Sequence, residues 1–182
     1  TNPTTSSIDF VGTAAVNTNM AALNSATAFP TATGGAANNY LASANTTTTA
    51  AVAANTVRIT GNTTLTLGGA LTITAGSATA TGGILFDNTG GNSATITGSN
   101  IAASTAAQEL LFIVGGGGNT STNTLTVNST IGAGAATQFV KAGNGTMILG
   151  GANTFTGNAF IDEGTVKLAG TTTATFGNIT TA

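Results

Sequence analysis

The sequence predicts an all-β chain wound as a parallel β-helix, a β-solenoid, and three observations lead there. The phrase Gly145-Thr146-Met147-Ile148-Leu149 returns 19 residues later as Gly164-Thr165-Val166-Lys167-Leu168, and a repeat of about 20 residues is the length of one solenoid coil. The apolar islands alternate with Thr, which is the two-residue period of a strand with one buried face. Charged residues make up 4% of the 182, against roughly 25% in an ordinary soluble domain. In stacked coils like residues lie upon like, so scarce charge and abundant Thr and Asn suit side-chain ladders around a narrow aliphatic interior.

Taken in order, residues 1–54 are rich in Ala, Thr and Asn and poor in large apolar side chains. Val16, Met20 and Leu23 have helical spacing and Pro30 would stop such a helix. The segment reads as a low-complexity cap or lead-in, since a solenoid must cover its terminal coil. From residue 55 to 170 the pattern is that of the β-helix. Val57 and Ile59 share one side of "NTVRIT", Leu65 and Leu67 of "TTLTLGG", and Leu71 and Ile73 of "ALTITAG". Ile96 lies in "SATITG", and Leu125 and Val127 lie in "NTLTVN". "GGILFD" and "ELLFIVGGGG" are continuous apolar runs that fit strands covered on both sides; for the second, a short buried helix has the same pattern. Gly-Gly, Gly-Asn and Asn-Thr-Gly between the islands mark turns.

Strands are accordingly expected near residues 56–60, 64–67, 70–74, 83–86, 94–97, 110–114, 124–127, 138–141, 146–149, 159–162 and 165–168. Leu65 to Ile84 is again a step of 19, and Leu125 to Met147 is one of 22. About six coils of roughly 4.8 Å each would make a column about 29 Å long. Leu65, Leu67, Leu71, Ile73, Ile96, Leu125, Val127, Met147, Leu149, Val166 and Leu168 should point inward. The stretch "TLTLGGALTIT" also reads as a hairpin about Gly-Gly, the one local competitor to the coil. Residues 171–182 form a tail or last strand.

Composition narrows the function. A net charge of −2 offers no basic footprint for nucleic acid or anionic lipid. With no Cys and no His, thiolate metal sites, disulfides and the commonest general base are absent. No apolar run approaches the roughly 18 residues of a membrane span, and "TNPTTSSIDF" lacks the basic and apolar regions of a signal peptide. An exported protein would therefore present here as a processed chain or as a segment of a longer one.

The stretch "KAGNGTMILGGANTFTGNAFIDEGTVKLAG" resembles the autotransporter-associated β-strand repeat, or passenger-associated transport repeat. The pattern is met by Lys141, Gly143, Gly145, Thr146, Leu149, Gly151, Asn153, Phe155, Thr156, Gly157, Ile161, Gly164, Thr165 and Leu168, with Met147 and Val166 in place of the usual leucines. Upstream, "NTVRITGNTTLTLGGALTITAGSATATGGILF" is similar to the lead-in of giant surface proteins of this type. The resemblance implies a right-handed parallel β-helix, export to the bacterial surface, and structural or adhesive work. The chain departs from the pattern of giant members in carrying one clear repeat copy and no carboxyl-terminal membrane barrel, so a self-exporting role is not implied.

No catalytic, cofactor or metal residues are expected. Asp162 and Glu163 are adjacent, which on a strand sends them to opposite faces, and a turn after Ile161 explains them. Asp9, Asp87 and Glu109 are scattered, and Arg58 stands alone on a strand, facing solvent or capping a carbonyl. "GGGGNTSTN" at 115–123 lacks the Lys of a phosphate loop, and the calcium pattern G-G-x-G-x-D is missing. Asn45, Asn62, Asn119, Asn128 and Asn178 open N-x-S/T triplets, which chance supplies in so Asn- and Thr-rich a chain.

The expected function is a non-enzymatic extracellular or cell-surface structural subunit. Copies of the chain would stack head-to-tail into a filament or layer, the amino-terminal "SSIDFVG" (Ile8, Phe10, Val11) completing the open end beside Phe176 and Ile179. The alternative is an adhesin module binding glycan or matrix, for which one Tyr and no Trp is a meagre supply of stacking rings. An enzyme acting on polysaccharide ranks third, because fold does not carry function.

Overall fold

The computed structural model describes residues 27–74, 82–88, 90–104, 109–115, 122–132, 138–169 and 179–181. Every regular element among them is a strand. The first four are β1 (Thr27–Ala28), β2 (Asn39–Ala42), β3 (Thr46–Thr47) and β4 (Val52–Ala54). They are followed by β5 (Thr56–Ile59), β6 (Thr64–Leu67), β7 (Leu71–Ile73), β8 (Gly83–Asp87), β9 (Ser93–Gly98) and β10 (Ile101–Ala103). The chain continues through β11 (Glu109–Gly115), β12 (Thr124–Val127), β13 (Gln138–Ala142), β14 (Thr146–Leu149), β15 (Ala159–Ile161), β16 (Thr165–Leu168) and β17 (Ile179–Thr181).

All pairings are parallel, and successive turns of the chain visit three sheets. The eight-stranded sheet runs β1-β2-β5-β8-β11-β13-β15-β17, the six-stranded sheet β3-β6-β9-β12-β14-β16, and the three-stranded sheet β4-β7-β10. The last is prolonged by an isolated bridge from Ile101 to Ile131. This is the expected β-helix, and the strands 146–149 and 165–168 are neighbours with Met147 opposite Val166. The hairpin reading of "TLTLGGALTIT" fails, because β6 and β7 belong to different sheets. Gly68 and Gly69 there form a corner, where a Cβ would lie 2.1 Å from the Thr48 carbonyl oxygen and 2.4 Å from the Ala51 nitrogen.

The interior is filled by alternate residues of each strand, two on most rungs, as with Leu65 and Leu67 or Met147 and Leu149. Leu65, Ile96, Val127, Leu149 and Leu168 form one inward ladder. Val52, Leu71, Ile101 and Ile131 form another. Aromatic rings close the upper coils: Phe139 lies 5.6 Å from Phe112 and stacks on Phe155 at 5.3 Å with an interplanar angle of 11°. Such stacking adds about 1 kcal/mol beyond area burial. Leu85 and Ile113 point outward and are nevertheless buried, at 1% and 7% exposure, so "GGILFD" and "ELLFIVG" are strands covered on both faces.

Four expectations are corrected. The coils are not uniform: Leu65 stacks on Ile96, 31 residues away, and Ile84 stacks on Val57 instead of on Leu65. The middle coils carry longer connections, so residues 56–168 wind through five strands of the eight-stranded sheet and not six. The column also begins before residue 55, since β2 pairs with β5 and β4 with β7. Small inward residues, Ala42, Val52 and Ala54, fill that coil beside the rings of Phe29 and Tyr40, which is why its large apolar groups are few. Lastly, Val166 is only partly buried and Leu168 is 53% exposed, because no rung of the six-stranded sheet lies beyond β16 among the described residues. The helix suggested by Val16, Met20 and Leu23 lies outside the described residues.

Asn side chains tie coil to coil, mostly by bonding backbone and not each other. Asn45 Oδ1 accepts from Thr64 N–H and Asn62 Oδ1 from Ser93 N–H, both at 2.8 Å. Asn153 Oδ1 accepts from Ile131 N–H at 2.9 Å. These bonds satisfy donors at strand ends that would otherwise compete for water.

Candidate functional site

The chemically unusual residue is Lys141. In β13 the inward positions are Phe139 and, two residues on, Lys141, so the strand period sends a charged side chain into the column. It stands on Phe112 and beneath Ile161 in the ladder and is fully buried. Its ammonium donates to the main-chain oxygens of Ala142 at 3.0 Å and Glu163 at 2.9 Å, and to that of Gly143. All three N–H donors are thereby used. Burial pushes its pKa down from 10.5 to about 8, and the Glu163 carboxylate pulls the other way.

A lysine of lowered pKa is often a nucleophile or base. Here the geometry opposes that use, because the nitrogen is saturated by carbonyls within a packed rung. What the arrangement does is join two turns: Ala142 and Gly143 follow β13, and Glu163 follows β15 one coil later. Gly164 completes it, with φ +79° and a position where a Cβ would sit 2.8 Å from the Lys141 nitrogen.

The residues weighed from sequence are not gathered. Asp162 and Glu163 are exposed in the turn after β15, as expected of a turn pair. Asp87 ends β8 and Glu109 begins β11, on different rungs, and Asp9 lies outside the described residues. Arg58 points away from the core between Leu41 and Leu85, half-buried, with an Nε that finds no acceptor among the described residues. In the Gly-rich stretch, Gly115 is the end of β11, and buried Asn123 closes the loop. Its Nδ2 donates to Gly115 O at 2.7 Å and Asn88 O at 2.8 Å, and its Oδ1 accepts from Asn92 N–H at 2.9 Å. Among the described residues no three His, Cys, Asp or Glu side chains come together as metal ligands, and no helix is long and apolar enough to cross a membrane. Lys141 was legible only as a motif letter; the signal for its burial was the two-residue step from Phe139.

Residues 139–168 match the family model of the passenger-associated transport repeat. The matched stretch runs from β13 to β16, two rungs on each of two walls, and contains both ends of the Lys141–Glu163 bridge. A passenger repeat of this kind implies a secreted or surface-exposed protein. No curated protein and no solved structure matches the chain.

Proposed function

We propose that this protein is a non-enzymatic structural subunit of the bacterial exterior, built to stack end on end. The observation that carries the reading is the edge at β16. Among the described residues its strand is the outermost of the six-stranded sheet, its inward ladder ends in Leu168 at 53% exposure, and the residues next beneath, Leu149, Val127, Ile96 and Leu65, are aliphatic. An unpaired parallel edge with an apolar step favours another rung. The proposed occupant is a second copy, whose amino-terminal segment, including Ile8, Phe10 and Val11, adds the missing strand. Such a contact is head-to-tail and propagates as a filament.

The adhesin alternative has less support. Tyr40, Phe29, Phe86, Phe112, Phe139 and Phe155 are buried, which leaves Phe160 as the half-exposed ring among the described residues. Electron microscopy and sedimentation of the 182-residue chain test the assembly. Filaments should form, Leu168→Lys should abolish them, and deletion of residues 1–12 should do the same with the β-sheet circular dichroism intact. Monodisperse wild-type protein, or normal filaments from the truncated chain, would count against this role.

A further inference from the structure

The outer face of the six-stranded sheet is a grid of threonines. Outward positions are Thr64 and Thr66 in β6, Ser93, Thr95 and Thr97 in β9, Thr124 and Thr126 in β12, and Thr146 in β14. The register lines them up across rungs: Thr64, Thr95 and Thr126 in one row, Thr66 and Thr97 in a second, Ser93, Thr124 and Thr146 in a third. All are at least partly exposed, and among the described residues none of their hydroxyls has a hydrogen-bond partner. Charge enters this face only at its margin, with Lys167 on β16 beside Ile148.

Rows on adjacent rungs are about 4.8 Å apart, and alternate residues along a parallel strand about 6.6 Å. Thr is stiff at χ1, so each threonine of the grid presents a methyl and a hydroxyl in nearly the same attitude, and Ser93 presents a hydroxyl alone. Beneath it, Leu65, Ile96, Leu125, Val127 and Met147 are buried and fix the strands in place. The result is a preorganised array with two repeat distances, few charges and no aromatic ring. A soluble sugar would call for stacking rings, and a protein partner for Trp, Tyr or Arg anchors. An object that matches both repeats at once is itself periodic on this scale, and a crystal with short polar spacings is such an object.

We propose that this face binds ice. The prism faces of hexagonal ice carry oxygen rows with one repeat near the rung spacing and a second somewhat longer than the spacing along a strand. Each hydroxyl would stand in for a lattice oxygen, and each methyl would hold the neighbouring water in place. Single contacts of this kind are weak; a rigid array makes many of them with little ordering cost.

The test is partition into slowly growing polycrystalline ice, together with inhibition of recrystallisation, using the full chain and serum albumin as reference. The wild-type protein should be enriched in the ice and hold crystal size down. Thr95→Lys at the grid centre, or the uncharged but bulky Thr95→Tyr should the first fold poorly, should fall to the albumin level at an unchanged urea midpoint. Thr72→Lys, outward on the three-stranded sheet, should behave as wild type. Exclusion of the wild-type chain from ice would overturn the proposal. So would full binding by a folded Thr95 variant, equal loss in Thr72→Lys, or retention on chitin or cellulose powder in place of ice.

Discussion

The buried ammonium of Lys141 donates to the main-chain oxygen of Glu163 at 2.9 Å, so a single proton-bearing nitrogen clasps the turns of two successive coils. The clasp has a pH dependence of definite sign. The folded-state pKa lies at about 8, below the ordinary 10.5, with burial as the larger cause and the Glu163 carboxylate opposing it. Between these values the unfolded chain holds more protons than the folded one, so this group's contribution to stability rises with pH there and is level below about 8. Urea midpoints of wild type relative to Lys141→Met, measured across that range, should climb with pH. Glu163→Gln removes the group that raises the pKa and should start the climb at lower pH.

Register can be tested by a pair of acidic substitutions three residues apart. Leu149 is fully buried in the ladder between Val127 and Leu168, whereas Thr146 faces outward. Leu149→Asp would bury an unpaired carboxylate and should cost about 4 kcal/mol. Thr146→Asp should cost within about 1 kcal/mol. Equal losses in equilibrium unfolding would contradict the assigned faces.

Gly61 and Gly164 both have positive φ, at 67° and 79°, but their surroundings differ. A Cβ on Gly61 meets open space, while one on Gly164 would lie 2.5 Å from the oxygens of Gly143 and Gly145. Gly61→Ala should therefore cost about 1 kcal/mol, the left-handed backbone alone. Gly164→Ala should cost about 3 kcal/mol, since strain from overpacking is added, and it should also disturb the Lys141 clasp. Thermal melts of the two variants compare them directly.

Asn123 offers a test of its polar closure. Asn123→Ala removes bonds to Asn88 O, Gly115 O and Asn92 N–H and should lose about 2 kcal/mol. Asn123→Asp keeps the size but turns a carboxylate oxygen toward the two carbonyls. It should be worse than Ala at neutral pH and recover as the pH falls and the acid takes up a proton. Denaturation at pH 7 and pH 4 distinguishes the two.

The six-stranded sheet was the most legible part of the fold, because Thr alternates with aliphatics along β6 and β12 and through the middle of β9. The pairing of Met147 with Val166 followed from a repeated phrase, since equal coil length brings like onto like. Coil length itself was not legible where connections lengthen: the 19-residue step from Leu65 to Ile84 was a coincidence of numbering, as these residues face the core from different walls. Residues 27–54 were hidden by their smallness, because hydropathy patterns weigh Ala42 and Ala54 lightly although each fills an inward position. Lys141 was hidden by its charge, which suggests an outward position even where the strand period points in. The exposure of Leu168 depends on what stacks above it, which no local pattern encodes.

Each strand bonds only to strands of the coil before and the coil after. Under tension applied between the two ends of the column, the backbone bonds, which lie along the axis, would be loaded in series. The weakest interface then yields first, and the coils peel away one by one like a coil of rope paid out. The force trace would be a row of low teeth whose spacing reports coil length, short where 19 residues are released and longer where 31 are. A load across the axis meets the same bonds side by side, in shear. The column would then be compliant along its length and stiff across it.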